Sequence, residues 1–469
     1  MNQEFTMAQS SKRVAIIGGG VAGSTVALFL AKQGVDVTLF DKNKSLVSGP
    51  PICHLHAGGN LYREISQQQC LDLLKQSIDF VRFFPSSVNV RPTVIAVPKV
   101  DDGEPLALLP RLKVLREAYR GLINEDADNN VLGSPDDYFH EYDYEQLKAL
   151  SQRDCPKAPS SLDEWLIPFA KYTDLEQLKF PIYVVQEYGL SLFRVASSVQ
   201  LWTEHLENLH VRTGVVVDDI EALESYYNVA LDNGEVGAFD FVINACGFRT
   251  GSIDDKLEIK RQRLVEFKAA YVTKWESHQE EKWPEVIFHG KRGTPQGMAQ
   301  LTPYPGGYFQ LHGMTKEITL FDKGLVGSTT QTSQPELPQS LINKIDKGWP
   351  LDVQIERSKS AIRHVSQFVP DFSTAEPAGK PLYGAQQIPG NEASLRTADV
   401  SFEGERYARL EIVKASSALI AAKKIMSKWF VQQPQSMVHT YSLDPTRVQE
   451  VAMNIAKERG YPESLAIAY

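Results

Sequence analysis

The segment Val14–Lys42, VAIIGGGVAGSTVALFLAKQGVDVTLFDK, carries no charge before Lys32 and sets three consecutive glycines inside its apolar run. An uncharged run of this length could span a bilayer, so its punctuation decides what it becomes. Val14–Ile17 has strand composition, and Gly18-Gly19-Gly20 ends it as a turn. From Val21 the composition is helix-forming and closes at Gly34, the position where a helix C-terminus favours glycine. Val35–Phe40 alternates as a second strand with Asp41 at its end. The segment reads as β-α-β, not as a membrane span.

The spacing Gly18-x-Gly20-x-x-Gly23 gives each glycine a mechanical task. Gly18 makes the tight turn, Gly20 lets the backbone approach a pyrophosphate, and Gly23 lets helix and strand pack closely. Val21 and Ala22 open the helix, whose unpaired N–H groups and partial positive charge favour phosphate. Asp41 can accept the ribose hydroxyls, and Lys42 adjoins it. This is a dinucleotide site. No second Gly-x-Gly-x-x-Gly follows a strand downstream, which argues against an enzyme that binds two dinucleotides.

Later the stretch FDFVINACGFRTG, Phe239–Gly251, runs an apolar strand into Asn244-Ala245-Cys246-Gly247. It resembles the second flavin-contact strand of the glutathione-reductase-type FAD fold. That likeness implies that Ala245 and Gly247 pass close to FAD and that Val217, on the preceding strand, meets the adenine. Three more stretches are similar, in order, to the D-amino-acid oxidase superfamily of FAD enzymes: Ser48–Ser66 (SGPPICHLHAGGNLYREIS), Gln300–Phe321, and KPLYGAQQIPG with YARLEIVKASSALIAAKKI. The likeness covers nearly the whole chain. It implies that His56, Gly58, Gly59, Asn60 and Leu61 run under the isoalloxazine and that Gly384 lies on the return to it. His56 either bonds covalently to the flavin 8α carbon or contacts the ring without a bond. The superfamily's glycine-rich turn before the last helix is replaced here, so Lys414, Ser416 and Ser417 are expected to face flavin N1 and O2.

The implied fold class is α/β: a glutathione-reductase-type Rossmann FAD-binding domain with an inserted mixed-sheet α+β substrate domain. We expect FAD-domain segments at 12–90, 190–262 and 375–430, substrate-domain segments at 91–189 and 263–374, and a helical extension at 431–469. Residues 101–165 are expected to be helical. Val265–Thr273 alternates with period two, as in a sheet covered on one face. In the extension, Asp444 and Pro445 precede helically spaced Val448, Val451 and Ile455.

The resemblance implies an FAD-dependent oxidoreductase, a dehydrogenase or oxidase. It would oxidise a CH–NH or CH–OH bond of a small carboxylate-bearing substrate by hydride transfer to flavin N5. A flavin monooxygenase or hydroxylase and a non-catalytic flavoprotein are the alternatives; no Gly-Asp turn of the hydroxylase type and no Gly-Trp-x-Trp-x-Ile-Pro signature occurs. The electron acceptor stays open among oxygen, a quinone and a protein. Arg63, Arg249 and Arg292 are the arginines in position to fork a carboxylate. Tyr62 and Tyr308 could add hydrogen bonds, and His56 or His312 could take an alcohol proton. We count His56, His312, Arg63 and Tyr62 as catalytic candidates; Glu266 and Glu187 are strand residues whose partners the sequence does not name.

The formal charge of −9 disfavours nucleic acid and anionic membranes as partners. Four cysteines without metal-ligand spacing, and a polar start without a signal-peptide core, lead us to expect no metal, no transmembrane segment and a cytoplasmic location.

Overall fold

The computed structural model describes residues 12–49, 61–430 and 442–469. Strand β1 (Arg13–Ile17) leads through the glycine turn into α1 (Val21–Lys32), and the chain returns as β2 (Asp36–Asp41). Helices α2 (Leu61–Glu64) and α3 (Gln67–Phe83) follow, with Ser66 capping α3 by accepting from the Gln69 N–H at 3.2 Å. Next come β3 (Val88–Asn89), β4 (Thr93–Pro98), α4 (Leu109–Glu125), β5 (Phe139–Tyr142), α5 (Tyr144–Leu150) and α6 (Leu162–Tyr172). The expected helices of 101–165 are therefore interrupted by a strand. The chain continues through β6 (Leu178–Val185), β7 (Gly189–Leu190), α7 (Leu192–Thr203), β8 (Leu209–Thr213), β9 (Val217–Ala222), β10 (Tyr227–Leu231) and β11 (Val236–Phe239). Then come β12 (Phe241–Asn244), α8 (Thr250–Lys256), β13 (Arg263–Lys274), β14 (Glu285–Phe288), β15 (Ala299–Tyr304), β16 (Tyr308–Gly313) and β17 (Leu325–Gly327). The last part holds α9 (Gln339–Lys347), α10 (Leu351–Val365), β18 (Glu376–Pro377), β19 (Leu382–Pro389), β20 (Val400–Glu403), β21 (Tyr407–Leu410), α11 (Ala418–Trp429) and α12 (Pro445–Glu458).

Among the described residues, one six-stranded sheet has the order β20-β21-β12-β1-β2-β8. All its strands run parallel except β20. Chain order reverses at β1, so a crevice opens beyond the C-terminal ends of β1 and β12. Strands β9, β10 and β11 form a separate antiparallel meander. A larger mixed sheet has the order β17-β13-β16-β15-β14-β4-β6-β5, with β18 and β19 also paired to β13.

The expected return to the FAD domain at residue 375 comes too early. Strand β19 pairs with β13 from Arg263↔Pro389 to Ala270↔Leu382, so residues up to 389 still belong to the large sheet. The expectation that this sheet is covered on one face also changes, because β13 is buried on both. Val265 and Phe267 enter one apolar cluster, and Ala269 and Tyr271 another, both on one side. Ala270 and Val272 enter the cluster of α1, α7, α11 and α12 on the other. Alternate residues of a strand share a face, so Glu266 and Lys268 look toward the dinucleotide-binding half.

Helix α12 joins that same core. Asp444 caps it by accepting from the Thr446 and Arg447 N–H groups, and Val448, Val451, Ala452 and Ile455 are buried. The Ser197 hydroxyl of α7 donates to the Val448 carbonyl at 2.7 Å. The start of the expected extension, 431–441, lies outside the described residues.

One buried carboxylate ties the two sheets together. Asp254 of α8 accepts from Arg409 Nε of β21 at 2.5 Å, from the Tyr407 hydroxyl at 2.8 Å and from Arg263 Nη2 of β13 at 2.7 Å. Asp254 and Arg409 are fully buried. Removing the carboxylate leaves the buried Arg263 without its ion pair and Arg409 with Glu403 alone, and breaking a buried pair costs about 3–5 kcal/mol. Asp254→Ala should therefore lower stability by about that amount in urea denaturation. An unchanged midpoint would show that this network does not couple the sheets.

Candidate functional site

The glycine turn and the Asn-Ala-Cys-Gly turn lie side by side at the mouth of the crevice. The Ala245 N–H donates to the Ile17 carbonyl at 2.8 Å. Gly18 has a φ of +105°, and a Cβ there would stand 2.5 Å from the Ala245 carbonyl oxygen. A Cβ on Gly23 would stand 1.9 Å from the Gly18 oxygen, so α1 rests directly on the turn. Gly20 differs: nothing lies within 4 Å of its Cβ position. The space it faces is therefore open to a ligand.

Helix α1 presents its N-terminus to that space. Its cap residue, Gly20, has no side chain to satisfy the first N–H groups, and the first turn holds no acidic residue. The amides at Val21, Ala22 and Gly23 are available to an anion, as a pyrophosphate requires. Asp41 is buried at the end of β2; its Oδ2 accepts from the Gly19 N–H at 2.6 Å and its Oδ1 from the Asn43 N–H at 2.7 Å. Each oxygen keeps a lone pair for a ribose hydroxyl. Lys42 is exposed beside it. Ala245 is buried, and Gly247, at a φ of +58°, likewise faces open space.

Val217 lies in the meander and is buried among Phe40, Ile220 and Phe239. The preceding Val215 runs closer to the acid, its N–H donating to the Asp41 carbonyl at 3.2 Å. Strand β8 ends at Thr213, four residues before the apolar run ends at Val217, so Val217 falls on the next strand.

On the C-terminal return, Lys414 is half-buried, and Ser417 donates to Gln76 Oε1 of α3 at 2.7 Å. The Ser417 hydroxyl thus serves packing first. The Ser416 hydroxyl is buried without a hydrogen-bond partner among the described residues. A buried polar atom left open in this way suits a bound polar ring. Gly384 sits on β19 directly opposite Lys268. His56, Gly58, Gly59 and Asn60 lie outside the described residues, as does the side chain of Leu61.

Tyr62 and Arg63, expected to meet substrate, are committed elsewhere. The Tyr62 hydroxyl is buried and donates to the Glu187 carboxylate, which also accepts from Tyr138 at 2.8 Å. Burial, with Glu187 close by, pushes the Tyr62 phenol well above its ordinary range. Arg63 forks Asp101 at 2.6 and 2.8 Å. The two residues border a cavity of about 270 Å³ with Gln67, Leu108, Arg111 and His289. Arg249 pairs with Asp346 at 3.3 Å, away from these groups. Tyr308 begins β16, beneath Lys274 and remote from the crevice end of the sheet.

His312 does reach the face that looks toward the dinucleotide half. It pairs with Gln300 across β15–β16, and Thr302 with Gln310, while the intervening Phe309 and Leu311 fill the outer core. With Glu266, Lys268 and Gln386, these residues make that face polar and the opposite face apolar. Gln386 Nε2 donates to the Val413 carbonyl, 2.8 Å away, joining this face to the C-terminal return.

A charged cluster occupies its edge. Glu266 accepts from Arg292 Nη2 and lies 2.8 Å from Lys268 Nζ. Although burial opposes ionisation, Lys268 and Arg292 hold the Glu266 carboxyl below its usual range. Burial pushes the Lys268 ammonium down to about 8, against the pull of Glu266. Arg396 joins from the loop after β19, with burial and then Arg292 lowering its pKa. Lys268 and Arg396 escaped the sequence reading. The available signal was two charges at alternate positions of an otherwise apolar strand.

Residues 13–92 match the sequence profile of a family described as FAD dependent oxidoreductase, abbreviated DAO. No curated protein sequence matches closely enough to count as a relative. Among solved structures, a glycine oxidase from Geobacillus kaustophilus superposes with a TM-score of 0.56 at 15% identity, covering 92% of this chain and 99% of that one. An L-proline dehydrogenase from P. horikoshii gives 0.56 at 15% identity, covering 94% and 98%. An FAD-bound L-α-glycerophosphate oxidase from Mycoplasma pneumoniae gives 0.58 at 12% identity, covering 92% and 99%. At such identities the likeness establishes the fold. No described helix is long and apolar enough to cross a membrane.

The open space at Gly20 generates a direct prediction. Gly20→Val should yield protein that folds but carries no flavin, read as loss of the visible flavin bands after purification. Stoichiometric flavin in that variant would mean that the pyrophosphate does not sit on this turn.

Proposed function

We propose that this chain, an FAD-dependent oxidoreductase with the D-amino-acid oxidase fold, oxidises a CH–NH or CH–OH bond of a small carboxylate-bearing substrate. The observation that carries the reading is the polar sheet face with its cluster of Lys268, Arg292 and Arg396, turned toward the dinucleotide half. Bound FAD supplies the hydride acceptor, N5 of its ring. Everything else falls to the chain.

Arg292 holds the substrate carboxylate, since a guanidinium fork matches its two oxygens, and Arg396 adds a second cation beside it. Lys268, half-buried, adds a charge that fixes the orientation of the reacting C–H bond. His312, half-buried on the same face, takes the proton of an alcohol substrate as hydride leaves. Lys414 and Ser416 would hold the pyrimidine end of bound FAD, whose reduction places negative charge there.

Anaerobic mixing with a panel of small amino and 2-hydroxy acids tests the reading. At least one should bleach the bound flavin. The kcat/KM for that substrate should fall as pH rises through about 8, because Lys268 is a cation below that value and neutral above it. In Lys268→Met the alkaline limb should vanish along with most of the affinity. A flavin that no panel member bleaches, or that NADPH alone bleaches, contradicts the proposal; an alkaline limb retained in Lys268→Met removes Lys268 from the site.

A further inference from the structure

We infer that the substrate carries two anionic groups, one carboxylate beside the reacting carbon and a second acidic group held by Arg396. This rests on the reading given above and narrows its substrate class.

The first support is a charge count. Lys268, Arg292 and Arg396 converge from three separate segments: strand β13, the turn between β14 and β15, and the loop after β19. They meet one buried carboxylate, Glu266, which is 3% exposed. Against that one buried carboxylate, three cations leave a formal excess of two positive charges. Glu64 and Glu392 also act on Arg396, but both are exposed, and water weakens those pairings. A monoanionic substrate would leave one charge of the excess in place. Arg396 is buried and Lys268 half-buried, so charge left uncompensated there is unfavourable, and a dianion offsets it.

The second support is geometric. Arg396 is only 7% exposed, yet its Nη1 donates to the Ala393 and Leu395 carbonyls at 2.9 and 2.7 Å, contacts that anchor the group without neutralising it. Its backbone N–H is fixed on Gln69 Oε1 at 2.8 Å. Among the described residues, no hydrogen bond engages its Nε or Nη2. Among the described residues, Arg292 is engaged through Nη2 alone. Two guanidinium edges on two different loops are thus left for ligand, and each suits one oxyanion. The cofactor's pyrophosphate does not account for them, because its place is the α1 N-terminus at the mouth of the parallel sheet.

The second group is a carboxylate or a phosphate-type oxyanion, and the test separates them. The FAD-loaded enzyme is titrated by calorimetry with propionate, succinate, glutarate and phosphonoacetate, none of which needs to react. Succinate or glutarate should bind at least about tenfold more tightly than propionate, as one charge-assisted pair provides. Tighter binding of phosphonoacetate than of both dicarboxylates assigns the second group as phosphate-type. The preference for dianions should collapse in Arg396→Gln and be partly kept in Arg396→Lys, with the flavin spectrum confirming that each variant is folded and loaded. Equal binding of propionate and the dianions, or a preference that survives in Arg396→Gln, overturns the inference. So does loss of FAD from both variants, which would make Arg396 a cofactor residue. If dianions bind tightly while no amino or hydroxy acid bleaches the flavin, the dianion site stands and the proposed reaction fails. If monoacids bleach as fast as diacids, the reaction stands and the dianion fails.

Discussion

Strand β13 must satisfy two different neighbours at once. Its twelve residues lie between an apolar layer on one side and the dinucleotide-binding half on the other. Period-two geometry then leaves little choice: Val265, Phe267, Ala269 and Tyr271 face the apolar layer, and Glu266, Lys268, Ala270 and Val272 face the half that carries the glycine turn. A one-residue slip would drive Glu266 and Lys268 into a core of aromatic rings. Pairing with β19 over eight residues and with β16 over four fixes that register. The charged pair is positioned by the strand's own packing and needs no loop to carry it.

The same logic explains why the site is assembled from distant segments. The six-stranded sheet ends in turns that must be glycine-rich, because Gly18 and Gly23 leave no room for a Cβ. Those turns create the anion-binding helix end. The large sheet supplies a polar floor, with the histidine, glutamines and threonine of β15 and β16 beside the charges of β13. Asp254 bridges the halves through Arg263 and Arg409, so the first residue of β13 is tied to the parallel sheet. Relative placement of floor and crevice therefore depends on a few buried charge contacts as well as on apolar packing.

Much of the nucleotide half was legible in the sequence, because its signals are local. A strand, a glycine turn, a helix and an acid within thirty residues specify their own geometry. The boundary at 375 failed for the opposite reason: whether Leu382–Pro389 joins one sheet or the other depends on a partner over a hundred residues away. Tyr62 and Arg63 looked functional from their neighbourhood, yet Glu187 and Asp101 claim them through contacts that no local pattern announces. Glu266 was visible without a partner; Arg292 supplies one across a turn. Lys268 and Arg396 become meaningful only once register brings them together. Side-chain chemistry at this site is a property of the sheet, not of a motif.

The central claim is that the face of the large sheet bearing Glu266, Lys268, Gln386 and His312 is the wall on which substrate meets the flavin. A crystal structure of the FAD-loaded protein tests it most directly. The account predicts an isoalloxazine ring that lies over this face, leaving a substrate-sized gap lined by Lys268, Arg292 and Arg396, with some of these side chains within about 4 Å of the ring. A ring bound elsewhere, with the cluster separated from it by packed protein, would contradict the account.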